Sequence, residues 1–407
     1  MATDGLSRRG LLLGGGALGA AGMFGIVAPT KAWSWSASDS VLGSGAGLDP
    51  RLVWDDEADA VVAGLFERGE VDLVNDLLAG WTRNDQPLPA GLPADLHTFL
   101  ERARRLPAWA DQAKLDRVFS FYERRGLYLG VLYGLGSGMM SCVIPREARA
   151  VYYSAGGADM KDRIAKTAKL GYDVGAKSAY GDGGQMVVTC LKTRLTHSAV
   201  RHLLPQSRHW QAAAPETKPI SQADIMVTWH SLATFSMNKL TAWKVPVAAA
   251  DRAAFLHLWQ VTAHMLGVKD EYIPATWASA NTQSRQVLDP ILAPTPEGVK
   301  LAKILLDLGA EYDGGLSKPM LHSFTRYCLG DQIATWLEIP RQPGMDAMVK
   351  NGWPQFIAVR ETLAPLPLLP KVYWLFDEFL RQGVRFFLGE GKRVDIVMPT
   401  GNNPNYS

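Results

Sequence analysis

The sequence predicts an all-α protein. Apolar residues recur at three- and four-residue spacing almost throughout the chain, and no series of alternating strands interrupts them. Prolines and capping residues punctuate that pattern at usual helix lengths.

Taken in order, the pattern places helices at 55–82 with a break near Gly69, then at 94–105, 111–125, 127–142, 146–155, 159–178 and 184–204. Further helices are expected at 221–241, 247–266, 295–309, 317–338 and 368–389. Ser221-Gln222-Ala223-Asp224 ahead of Ile225-Met226-Val227 resembles a capping box, in which a hydroxyl and a carboxylate satisfy orphan N–H groups at a helix start. Pro145, Pro205, Pro294 and Pro370 stand where helices should begin or end. The polar, proline-rich segments 83–93 and 205–220 read as loops, and the tail from Pro399 to Ser407 reads as irregular.

From Leu127 to Ile144 the chain is uncharged and carries Gly126, Gly130, Gly134 and Gly138 at four-residue intervals, a smooth stripe along one helix face. Close helix packing, a face flattened for a planar macrocycle or a thin hydrocarbon chain, and a second membrane span all fit that stripe. The span sits oddly in an exported folded protein.

The first 32 residues read as a twin-arginine export leader. Ser7-Arg8-Arg9-Gly10-Leu11-Leu12 opens a run that stays uncharged through Thr30, and Thr30-Lys31-Ala32 supplies a small-residue exit. Six glycines from Gly14 to Gly25 make a poor spanning helix, so a cleaved leader is preferred over a retained anchor. The same run holds Gly14-x-Gly16-x-x-Gly19, but no strand precedes it, and the dinucleotide reading is discarded. Cleavage would leave residues 33–407 as a single helical domain with terminal extensions, secreted after passage through the twin-arginine translocase and expected as a monomer.

Removing residues 1–32 takes away Arg8, Arg9, Lys31 and Asp4 and leaves equal numbers of acidic and basic residues. Nothing in that balance steers the chain towards nucleic acid or anionic lipid, and no stable membrane span is expected in the mature form. With 47% apolar residues and 13 Trp the chain can bury a large core. Cys142, Cys190 and Cys328 are few, distant and odd in number, so no disulfide framework or thiolate metal cluster is written into their spacing. The sequence contains no Cys-x-x-Cys-His, His-Glu-x-x-His or Walker loop, so any cofactor is held without thioether links.

Three stretches carry candidate chemistry. Helical spacing sets Arg163, Lys166, Thr167 and Leu170 on one face; a solvated basic stripe explains them, and a buried Lys there would have to be neutral, paired or metal-bound. His197 has Arg194 three residues before it and Arg201 four after. A helix holding His197 under an iron would bring those guanidiniums to the rim of a porphyrin, whereas a hydrogen-bonded core histidine is the commoner fate. His230 and His264 are rival ligands. Glu147, two residues after Pro145, compensates a helix dipole, and becomes a base only if it faces an apolar cavity.

Arg163-x-x-Lys166-Thr167, followed by His197 and Arg201 and preceded by Glu147 and the twin-arginine leader, resembles the latex clearing proteins, the haem b rubber oxygenases of actinomycetes. The resemblance runs over essentially the whole chain. It implies a globin-like helical core, with additional N- and C-terminal helices, around one non-covalent haem b. It also implies O2-dependent cleavage of double bonds in cis-1,4-polyisoprene within the chain, giving oligo-isoprenoids with aldehyde and ketone ends. By the same resemblance His197 is the proximal iron ligand, Lys166 a distal ligand in a closed state, and Glu147, Arg163 and Thr167 line the distal pocket. Arg194 and Arg201 as propionate partners follow from spacing alone. A haem peroxidase, an oxygenase of small lipids or terpenoids, and a non-catalytic secreted oxygen- or haem-binding globin are the alternatives.

Overall fold

The structure is a computed structural model. It describes residues 32–34 and 40–364, and in the last stretch 371–373, 375, 377–379, 382–383, 389–391 and 394–406. The expected leader, its arginines and the glycine fingerprint lie outside the described residues, apart from Ala32.

Ala32 opens a short antiparallel hairpin in which β1 (Ala32–Ser34) pairs with β2 (Ala46–Leu48). The rest is helical, as the spacing predicts. Helices α1 (Asp56–Arg68) and α2 (Val71–Ala79) are separated at Gly69, whose φ of 66° is left-handed backbone that glycine adopts without steric cost. Then come α3 (Ala94–Ala103) and α4 (Gln112–Val131). Helices α5 (Pro145–Tyr153), α6 (Met160–Asp173) and α7 (Met186–Leu203) follow. Short α8 (Arg208–Ala213) lies inside the segment expected to be a loop, capped by the Ser207 hydroxyl. Next are α9 (Gln222–Trp229), α10 (Phe235–Ala242), α11 (Ala249–Met265), α12 (Trp277–Val287) and α13 (Pro296–Gly309). The series closes with α14 (Lys318–Leu329), α15 (Asp331–Trp336) and α16 (Pro343–Leu363). The expected capping box at Ser221 is present, Pro145 is the first residue of its helix, and the expected helix 368–389 is helical wherever it is described, apart from the turn at Gly389.

One expected boundary is absent. The chain passes Gly126 without a break, and α4 runs on into a wide π turn at Leu132–Gly138. A glycine inside a helix costs about 1 kcal/mol, and here the helix is held along its length by packing against α11. Phe121 and Phe255 meet there with ring centroids 5.3 Å apart. A second π turn, His230–Thr234, joins α9 to α10 and lies beside the first, with Ser137 and Ser231 hydroxyls 2.7 Å apart. Wide turns of this kind leave backbone groups free to re-aim side chains and collect near functional sites.

The segment Gln112–Val143 is long and apolar enough to cross a membrane, yet half of its apolar window is buried against the protein. Close packing therefore describes it best, but the contact glycine is Gly136 rather than the expected stripe. A Cβ at Gly136 would stand 2.5 Å from a ring carbon of Phe235.

Buried side chains form a main core with Trp81, Trp259, Tyr128, Phe99 and Phe255, a second core around Met139, Ile144 and Leu301, and a third, small one of Ala150, Val200, Leu204 and Trp210. Helix α5 belongs to two of them. Ala148 and Tyr152 face the second core and Ala150 the third, which leaves Glu147 on the face between.

Candidate active site

Glu147 stands in the first turn of α5, and that helix is clamped on both sides. Arg146 makes two bonds to Asp224, 2.7 and 2.8 Å, and Asp224 is the carboxylate of the α9 capping box. Arg149 reaches Glu216 at 2.9 Å, and the Tyr153 hydroxyl donates to Glu297 at 2.9 Å. Against that rigid frame the Thr228 hydroxyl donates to Glu147 Oε1 at 2.5 Å.

Burial pushes the Glu147 carboxyl up to about 8, with the Asp224 charge acting in the same direction and Thr228 and Arg163 acting against it. The dipole explanation of this residue is therefore insufficient: a carboxyl that only balanced a helix end would lie in water and stay ionised. Thr228 is the exposed residue of an otherwise buried α9. Its hydroxyl is nonetheless spent on the Glu147 carboxylate.

Arg163 enters the same cluster from α6. Its stem lies on Gly156, where a Cβ would come 3.1 Å from Arg163 Cδ. Burial lowers the guanidinium's proton affinity, and the charges that favour its ionised form are Glu147 first and then Asp162. It makes no side-chain hydrogen bond among the described residues, so its field is directed at Glu147 without being spent on a pair. Thr167 follows one turn on, its hydroxyl donating to the Arg163 carbonyl at 3.1 Å.

His197 lies in the middle of α7. Burial pushes it down to about 3, helped by the charges of Arg201 and Arg163, so the imidazole is neutral at every physiological pH. Its Nδ1 is buried with no hydrogen-bond partner. A neutral, unpartnered imidazole is what a metal ligand requires. The rival histidines are committed elsewhere: His230 has Thr234 at 2.8 Å and Gln283 at 2.9 Å on its two nitrogens, and His264 holds Asp270 at 2.7 Å. Among the described residues no group of three or more His, Cys, Asp or Glu could hold a metal ion. A single neutral imidazole with a free nitrogen is the donor a protein offers to a haem iron, so the residues present fit haem b.

Three of the expected site residues have protein partners in this structure. Lys166 is paired with Asp162 on its own helix at 2.6 Å. Arg194 is bound by Asp55 at 2.5 and 2.9 Å, and Arg201 by Asp59 at 2.7 Å and by the Ser198 hydroxyl. Acidic residues at the start of α1 thus pair with both guanidiniums. Thr228 escaped the sequence reading altogether. The one trace of it is a polar residue inside the apolar run from Ile225 to Trp229.

Residues 122–362 match the family described as ER-bound oxygenase mpaB/B'/rubber oxygenase, catalytic domain. Over 406 residues, 99% of this chain and 100% of the relative, the sequence is 57% identical to a rubber oxygenase from Streptomyces sp.. The fold superposes with a TM-score of 0.82 on a solved structure of latex clearing protein in the closed state, at 58% identity, covering 90% of this chain and 99% of that one.

Proposed function

Since this chain belongs to the rubber oxygenase family, we propose that it is an exported haem b dioxygenase that cuts cis-1,4-polyisoprene at internal double bonds. The observation that carries this reading is two abnormal groups that both feel the charge of one guanidinium, Arg163. Glu147 is a buried carboxyl raised to about 8, and His197 is a buried imidazole with a free nitrogen.

His197 would hold the iron. Haem b bound there would supply the binding and activation of O2. The protein does the rest. In its ionised form Glu147 accepts an allylic proton from the polymer and gives it back as the two carbonyl ends form; a carboxyl raised to about 8 is a far stronger base than an ordinary one while still partly ionised near neutrality. Arg163 biases Glu147 towards that ionised form through its charge, and Thr228 fixes the direction of the receiving oxygen. Thr167 braces the turn of α6 that carries Arg163. Lys166, once released by Asp162, would offer the iron a removable amine ligand. Both atoms of O2 end on the former double bond, one as a ketone and one as an aldehyde, and attack within the chain gives a mixture of oligo-isoprenoids. The leader at residues 1–32 would deliver the folded, loaded enzyme through the twin-arginine translocase.

The deciding experiment is an absorption spectrum of the purified protein with pyridine typing of the haem, followed by oxygen uptake on latex without added peroxide. A Soret band, one haem b per chain and carbonyl-ended oligomers are expected. A colourless, iron-free protein refutes the reading. A requirement for peroxide would make it a peroxidase, and colour without turnover a haem-binding globin.

A further inference from the structure

The segment 394–406 crosses the backs of the two helices that carry the candidate site. Asp395 accepts from Lys192 at 2.6 Å, and the Val397 carbonyl accepts from the Thr196 hydroxyl at 3.2 Å, so the segment follows α7 past the residue next to His197. Met398 is fastened from the other side by two bonds with Asn75, both 2.9 Å.

The segment then turns onto helix ends. The Asn402 amide donates to the Leu203 carbonyl at 2.7 Å, at the last residue of α7. The Asn403 amide donates to the Tyr152 carbonyl at 2.7 Å, and the Asn403 backbone N–H to the Tyr153 carbonyl at 3.1 Å, at the last two residues of α5. These are the carbonyls a helix leaves without internal partners. Asn403 is 1% exposed, and its own Oδ1 accepts from the Asn405 N–H at 3.0 Å. Gly157 makes the approach feasible, since a Cβ there would lie 2.8 Å from the Asn403 amide nitrogen. Tyr406 finishes the attachment, hydroxyl to hydroxyl with Tyr152 and with its ring centroid 5.1 Å from that of Tyr152 and 5.4 Å from that of Tyr153.

We propose that Asn402 and Asn403 are positioning residues for the reaction: by hooking the closing carbonyls of α7 and α5, they hold the helix of Glu147 in fixed register with the helix of His197. Elsewhere these helices meet through the small cluster of Ala150, Val200, Leu204 and Trp210, an apolar contact that resists separation but offers little against sliding. Directional bonds from adjacent residues of one strap resist the slide. A displacement of about 1 Å between a base and its target costs on the order of 100-fold in rate, so a modest loss of register is visible in turnover.

This inference rests on the proposed roles of Glu147 and His197, and its test separates the two. The Asn402→Ala/Asn403→Ala enzyme should fold, bind haem and keep its KM for latex within about twofold, while turnover per haem falls about tenfold. Backbone amide exchange should quicken at the ends of α5 and α7 and nowhere else. Asn403→Asp, which keeps the acceptor for Asn405 but loses the donor to Tyr152, should also slow turnover per haem. Unchanged turnover per haem with a lowered melting temperature would overturn the proposal and make the strap a plain structural brace. Should the double variant not fold, Asn402→Ala alone, which frees a single carbonyl, must still slow turnover, and full activity there overturns it equally. Wild-type protein that binds no haem would instead remove the reading on which the proposal rests.

Discussion

Two buried clusters of charge in this molecule are built from the same residue types and have opposite characters. Between α4, α16 and the helical residues after it, Arg125 holds Glu361 at 3.0 Å and the Pro246 carbonyl at 2.8 Å, and the Tyr128 hydroxyl donates to the same Glu361. Alongside, Arg360 makes two bonds to Asp377. Every ion there has a partner. Around Glu147 the carboxyl has one hydroxyl, the Arg163 guanidinium has no side-chain bond among the described residues, and His197 Nδ1 has none. Burial alone therefore does not distinguish a site from a brace. Unspent hydrogen-bonding capacity does, because an unpaired group in a dry interior is held in a raised free-energy state that a ligand or substrate can relieve.

The sharpest way to break that contrast is to exchange histidines. His197→Ala should lose most haem, read from the Soret band and iron content, and a fully loaded variant would move the ligand role elsewhere. His230→Ala, by contrast, should keep the haem band and lose roughly 1–3 kcal/mol of stability, since it strands Thr234 and Gln283.

Next in size is Glu147→Gln, which should retain haem while latex cleavage falls by about 10²–10⁴-fold, the span of a lost general base. Wild-type turnover should climb as pH rises towards about 8, where the carboxyl ionises. Stability runs the other way: a carboxyl raised in the folded state contributes fully below its unfolded range and loses that contribution as pH climbs through about 8. The Gln variant should accordingly melt no lower than wild type at pH 7 and higher above pH 8. Turnover equal to wild type would remove Glu147 from the reaction.

On the braced side, Arg360→Ala strands Asp377 and should cost about 3–5 kcal/mol in denaturant unfolding, with turnover per bound haem preserved. A variant equally stable but slower would place that network in the chemistry.

The smallest of these effects belongs to Thr228→Val. Its hydroxyl favours the ionised carboxyl, so removing it should shift the rising limb of the pH–rate profile alkaline and lower turnover several-fold at pH 7. An unmoved limb would show that the hydroxyl only fills space.

Most helices were legible because amphipathic spacing and caps are local. α16 was not: Pro340, Pro343 and Pro354 suggest interruption, yet Pro343 is an acceptable first residue and the helix carries Pro354 within it while burying Val349, Trp353 and Ile357. α12 was hidden by its polar run and is started by the Thr276–Ser279 capping box. At the site, Glu147, Arg163 and His197 could be named through resemblance, but nothing local distinguishes a dry carboxyl from a wet one. Thr228 meets Glu147 across 81 residues, and Arg194 and Arg201 find their acids more than 130 residues away. Such partners belong to the tertiary fold, and periodicity carries no trace of them.

The strap closes over contacts separated by 199 and 251 residues of sequence. A ribosome therefore delivers the fastening long after the two helices it joins. A nascent chain interrupted before Asn403 would carry every reactive side chain and still lack their full alignment, so a nearly finished copy works slowly until translation has passed that point.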